Sequence, residues 1–85
     1  MWFQYDPAKA AANIRKHGVS FADAEGVLKD PLALTIDAQG ERRYVAIGVG
    51  SLGELLVVVY AGGGDEYRLI SARRATPKER RAYEN

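Results

Sequence analysis

Leu55-Leu56-Val57-Val58-Val59-Tyr60 is apolar on both alternating sets of side chains, which in a strand means that both faces are covered. The stretch belongs in the middle of a sheet. Toward the N-terminus, Gly50–Gly53 reads as a turn, Arg42–Val49 alternates with Val45, Ile47 and Val49 on one face, Ala38-Gln39-Gly40-Glu41 is a second turn and Ala33–Asp37 a strand. Toward the C-terminus, Gly62-Gly63-Gly64-Asp65 is a flexible turn and Glu66–Arg73 a fourth strand. Strict alternation puts Tyr67, Leu69, Ser71 and Arg73 on one face of that strand and Arg68, Ile70, Ala72 and Arg74 on the other. The expected sheet is a four-strand antiparallel meander.

Helices flank it. Asp6-Pro7 supplies an N-cap and a proline at the first helical position, where its missing N–H costs nothing. A helix from Pro7 to His17 then stops at Gly18, with Arg15, Lys16 and His17 in a last turn whose dipole favours cations. Within it Asp6, Lys9 and Asn13 follow helical spacing, which reads as a cap and two surface positions. Ser20 and Asp23 resemble a capping box, with Asp in place of Glu, for a second helix ending near Lys29, and Asp30-Pro31 breaks it. Thr76-Pro77-Lys78-Glu79 is a fuller capping box and opens a short C-terminal helix to about Glu84. That helix has little apolar surface beyond Ala82 and Tyr83, so burial alone does not account for it. Trp2 to Tyr5 forms a possible short extra strand at the N-terminus; Trp2 and Tyr5 suit packing or base stacking. The fold class is α+β.

Composition narrows the chemistry. The 85 residues have no cysteine and a single histidine, His17. Disulfides, thiolate zinc sites, cysteine nucleophiles and His-rich metal sites are excluded. Length predicts one domain over residues 1–85. No stretch approaches the roughly 20 apolar residues needed to cross a bilayer, and no signal pattern opens the chain, so a cytoplasmic protein without membrane contact is expected. The net charge of +1 hides an asymmetry: residues 1–67 hold six Lys/Arg against nine Asp/Glu, a net of −3, and residues 68–85 hold six against two, a net of +4. The basic end is the expected anion-binding region.

The strings YDPAKAAANIRKHGVSFADA, DPLAL, ERRYVAIG and RLISARRATPKERRAYE resemble the BrnT family, the toxin half of BrnT/BrnA type II toxin–antitoxin pairs. The resemblance spans nearly the whole chain, and KHGVSF with ISARRATPKER is specific in combination. It implies a RelE-like fold, a ribonuclease that cleaves RNA and arrests translation, and neutralisation by a BrnA-like ribbon–helix–helix antitoxin encoded beside it, assembled as a heterotetramer in which the antitoxin contacts operator DNA. The sequence departs from the family at Glu54, where members often carry a basic residue, and at Tyr60, where they often carry histidine. A lower RNA affinity than that of relatives is the consequence to expect if the usual residues contact RNA.

Cleaving RNA without a metal ion or other cofactor requires a base, an acid and fixed cations around a dianionic phosphorane-like transition state. Arginine suits the cationic role because its planar fork donates two parallel hydrogen bonds to phosphate and stays protonated. Arg43 and Arg73 fit that role; their other reading is a salt bridge to a carboxylate such as Glu41 or Glu79. His17 has the one unperturbed pKa near neutrality and fits a general acid or base, or a cap on its helix end. Glu79 reads as a cap for Thr76 or as a base, and Tyr83 as a proton donor, a stacking ring or a packing residue. Lys16, Arg68, Arg74, Arg80 and Arg81 are expected RNA contacts or solvated surface. The alternative to a toxin nuclease is a non-catalytic RNA-binding or antitoxin-binding protein, a decayed toxin.

Overall fold

The structure is a computed structural model that describes residues 2–37, 42–63 and 66–85, with the side chains of Trp2 and Phe3 outside that description. The expected turn at Ala38–Glu41 and the tip Gly64-Asp65 also lie outside it. The elements run β1 (Trp2–Gln4), α1 (Pro7–His17), α2 (Phe21–Leu28), β2 (Leu34–Asp37), β3 (Arg43–Val49), β4 (Leu55–Gly63), β5 (Glu66–Arg74) and α3 (Pro77–Glu84). The sheet order is β1-β5-β4-β3-β2. The β2–β5 meander is antiparallel, β1 adds to it in parallel beside β5, and β4 sits in the centre as its two apolar faces require.

The helix ends follow their local chemistry. Asp6 accepts from the Ala8 amide at 2.8 Å, and Gly18 closes α1 in the left-handed conformation at φ 71. Ser20 caps α2 by accepting from Asp23 N. The expected reciprocal bond from Asp23 does not form: its carboxylate instead accepts from Leu52 N at 2.8 Å, pulling the β3–β4 turn onto α2. The approach is close enough that a Cβ at Gly26 would collide with the Ser51 amide nitrogen.

The two sheet faces are covered unequally. Under α1 and α2, Val19, Phe21, Ala24, Val27, Ala46, Leu56, Val58, Leu69 and Ala72 form the main core, and each large side chain fully buried there contributes roughly 1.5–3 kcal/mol. The opposite face, termed the open face below, carries a smaller cluster of Ile47, Leu55 and Val57 against which Val45, Ala75 and Tyr83 pack.

Two sequence readings are corrected. Strict alternation along β5 fails because the register with β4 steps from Val59↔Ser71 to Tyr60↔Leu69, leaving Ile70 as an extra residue. This bulge reverses the facing of everything before it. Leu69 and Ala72 therefore share the helix-covered core, and Arg68, Ser71 and Arg73 share the open face. Asn13 is the second correction: it is buried, at 6% exposure, rather than on the helix surface. Its amide donates to the carbonyls of Val19 and Ala72 at 2.9 and 2.8 Å and accepts from Ala72 N at 3.1 Å. The side chain acts as one residue of a neighbouring strand on the edge of β5. Asn13→Ala leaves buried backbone groups without partners, and chemical denaturation is expected to show a loss of about 2 to 4 kcal/mol.

Candidate nucleic-acid interface and active site

The bulge determines which cations meet. Arg43 pairs across β3–β4 with Ala61, and Ala61 pairs across β4–β5 with Arg68. All three share the open face, so the two arginines flank a small residue at a backbone separation of about 10 Å, twice the strand spacing. Arg73 lies on the same face opposite Val57, four β4 residues from Ala61 and thus about 13 Å along the strand.

Arg73 is bound by α3. Its two terminal nitrogens donate to Glu79 Oε1 and Oε2, both at 2.8 Å. Glu79 Oε1 also accepts from Thr76 N at 2.8 Å, and Thr76 Oγ1 accepts from Glu79 N at 3.2 Å. One carboxylate therefore closes the capping box and grips the arginine. The Arg73 hydrogen bond is the main reason that the Glu79 carboxyl is held down to about 2, and the same bond raises the Arg73 pKa. One turn on, Tyr83 rests on the smaller apolar cluster and its hydroxyl donates to Asp30 Oδ2 at 2.6 Å. Asp30 also accepts from Leu32 N and Val49 N, both at 2.9 Å. Those bonds, the tyrosine's first, lower the Asp30 pKa, and the bond to Asp30 raises that of Tyr83. The phenol is thereby held in its protonated form.

The remaining expected residues lie elsewhere. Arg80 and Arg81 are exposed on α3. Lys16 and His17 line a groove between α1 and β5 with Lys9, Asn13, Ile70 and Ser71. Arg74 faces the helix side, donating to Glu54 Oε2 at 2.6 Å and to the His17 carbonyl at 3.2 Å. The chain's departure at Glu54 thus occupies one of its expected RNA contacts. Among the described residues no hydrogen bond joins the His17 ring to Arg73, Glu79 or Tyr83, and no group of three or more His, Asp or Glu is placed to hold a metal ion. Among the described residues no helix is long and apolar enough to cross a membrane. Tyr5 packs edge-on against Phe21, centroids 5.4 Å apart.

Sequence reasoning missed Asp30. Standing before Pro31 it looks like a helix breaker, and no local pattern reveals a partner 53 residues away. For Glu79 the capping box was legible, and a salt bridge from Arg73 to Glu41 or Glu79 stood only as the alternative to anion binding.

An α+β sandwich whose uncovered sheet face gathers arginines, with a carboxylate and a phenol on a capping helix, has the makings of a protein that handles phosphodiesters. The family model of BrnT, the ribonuclease toxin of type II toxin–antitoxin systems, matches residues 5–79, and the chain belongs to that family. It is similar to the Brucella abortus ribonuclease toxin BrnT, known from a 1.1 Å crystal structure, with 29% identity over 89% of this chain and 99% of that one and a TM-score of 0.72. No curated protein matches the sequence.

The Arg73–Glu79 pair makes a testable contribution to stability. Because the carboxyl is depressed from 4.5 to about 2 on folding, its stabilisation is complete above pH 4.5 and is lost as pH falls toward 2. Arg73 is 40% exposed, so solvent screening limits the pair to about 1 kcal/mol. Glu79→Gln is expected to lower stability by about that amount at pH 7 and to flatten the acid limb of a stability–pH curve between pH 4.5 and 2.

Proposed function

We propose that this toxin is an endoribonuclease that cleaves RNA without a metal ion, arrests translation in the cytoplasm, and is neutralised by a cognate BrnA-like ribbon–helix–helix antitoxin in a heterotetramer. Residues 1–85 act as one toxin domain, and operator DNA is contacted through the antitoxin. The observation that carries the nuclease reading is the bidentate Arg73–Glu79 pair on the same face as Arg43 and Arg68.

In this reaction the ribose 2′-oxygen attacks the adjacent phosphorus, its proton passes to a base, and the departing 5′-oxygen takes a proton from an acid. Arg73 supplies cationic donors to the phosphorane-like oxygens. A phosphate arriving there competes with Glu79 for the same N–H groups. As Arg73 turns to the phosphate, Glu79 loses the partner that suppresses its pKa and becomes a better base for the 2′-hydroxyl. Tyr83, a neutral phenol whose hydroxyl donates to Asp30, is the proton donor to the departing 5′-oxygen once RNA displaces that hydrogen bond. His17, in the α1–β5 groove on the helix side of the sheet, is too far round the sheet to share that phosphodiester, so its candidate role is to contact RNA along the edge rather than to carry the proton. Arg43 and Arg68 hold neighbouring phosphates, with Lys16, Arg80 and Arg81 as outer contacts that contribute affinity without sequence preference, while Arg74 is held by Glu54 and the His17 carbonyl.

A second reading has one observation in its favour: Glu54 engages Arg74, as expected of a decayed toxin that binds its antitoxin without cutting RNA. Incubation of structured RNA with the purified protein in EDTA separates the two. Cleavage is expected, and Arg73→Ala is expected to slow it by about 100-fold, the effect of removing a transition-state donor. Salt-sensitive RNA binding with no cleavage by either protein, on free RNA or on translating ribosomes, would establish the binding module instead.

A further inference from the structure

The open face has two halves built alike. In the first, the cross-strand row Leu34–Ile47–Val57 ends on Arg73, and α3 lies across it with Tyr83 on the apolar part and Glu79 on the arginine. In the second, the row Ile36–Val45–Val59 runs beside the row Arg43–Ala61–Arg68. No described helix lies over that half; Val45 and Val59 are half-buried, Val45 against the edge of the cluster under α3, and Ile36 is the outermost apolar residue. Ile36 is 61% exposed, Arg43 and Arg68 are exposed, and among the described residues the ion pairs are Arg73–Glu79 and Arg74–Glu54. The second half has the apolar strip and the cations of the first, without the helix.

From this juxtaposition we infer that the Ile36–Val45–Val59 strip with Arg43 and Arg68 is the surface on which the neutralising antitoxin docks, and that it receives an amphipathic helix bearing an apolar anchor and carboxylates. The inference rests on the toxin reading above and adds to it where the partner sits and what chemistry it brings. α3 shows within the chain how such a helix is held. Helices pack 8–10 Å apart, so one laid beside α3 falls between the Val45/Val59 row and the arginine row. The two arginines stand about 10 Å apart across Ala61, close to the ~10.5 Å rise of seven helical residues, so carboxylates seven apart on one face of a helix meet both. The aliphatic strip selects protein over RNA, because a sugar–phosphate chain gains nothing from Ile36, Val45 and Val59, whereas an apolar anchor removes them from water. Carboxylates on Arg43 and Arg68 occupy the places a phosphate would take, so docking and RNA binding exclude each other.

The test titrates the purified antitoxin encoded beside this gene into the parent protein, Ile36→Asn and Leu52→Asn, with melting curves and RNA cleavage recorded for each. Leu52, 78% exposed in the β3–β4 turn, is the off-surface control. Ile36→Asn is expected to melt with the parent, to bind the antitoxin about tenfold more weakly, and to need correspondingly more of it for inhibition; Leu52→Asn is expected to match the parent. Parental affinity in Ile36→Asn, or an equal loss in Leu52→Asn, would overturn the surface. So would a loss of RNA affinity in Ile36→Asn with antitoxin binding intact, which would make the strip part of an RNA track. Failure of the parent to bind the antitoxin would remove the partner along with its surface. A parent that binds the antitoxin but cuts no RNA fails the nuclease reading alone and leaves the affinity comparison decisive for the surface.

Discussion

The buried amide of Asn13 fixes how everything else in this small protein is arranged. β1 pairs with β5 only as far as Arg68, and beyond that point the outer edge of β5 would present unpaired amides and carbonyls to the interior. Asn13 takes up both groups of Ala72 and the Val19 carbonyl besides, which ties α1, the α1–α2 link and the sheet edge together. An unpaired polar group in the same place would cost more than the bonds contribute, so the arrangement is strongly specified. With β5 held there, its bulge at Ile70 decides that Arg68 and Arg73 look outward on one face while Leu69 and Ala72 fill the core.

The open face follows from that geometry. Apolar in its middle and cationic at its ends, it would be left uncovered by a helix as poor in hydrophobic residues as α3 if burial were the only force. α3 is held instead by two polar attachments, Glu79 on Arg73 and Tyr83 on Asp30. Both employ groups that the proposed chemistry needs. Half of the face is thus occupied by the chain itself, and the other half has the same composition without an occupant, which relates RNA cleavage and its inhibition to one surface.

Much of this was legible beforehand. The helix boundaries rested on Asp6-Pro7, Gly18, Ser20 and Thr76-Pro77, local signals that act over three or four residues and need no distant partner. LLVVVY placed β4 at the centre because a strand apolar on both sides has nowhere else to go. The candidate site was legible in its residue types, since arginines with a capping glutamate and a nearby tyrosine could be picked out, and the family resemblance pointed to the same set. Its assembly was not legible. Alternation sets Arg74 on the opposite face from Arg73, but nothing local shows that Glu54 and the His17 carbonyl hold it there, and Asp30 reads only as a helix breaker.

By itself, then, the sequence determined the elements, their order and the central strand, because capping, proline geometry and apolar periodicity are properties of short stretches, and its motif strings carried the family resemblance. The tertiary structure decided which side chains share a face and which charges are already paired. One extra residue in β5 reverses the facing of half a strand without changing its composition, and contacts such as Tyr83 with Asp30 join residues far apart in the chain. Such outcomes depend on register and on packing between distant segments, and no window of neighbouring residues contains them.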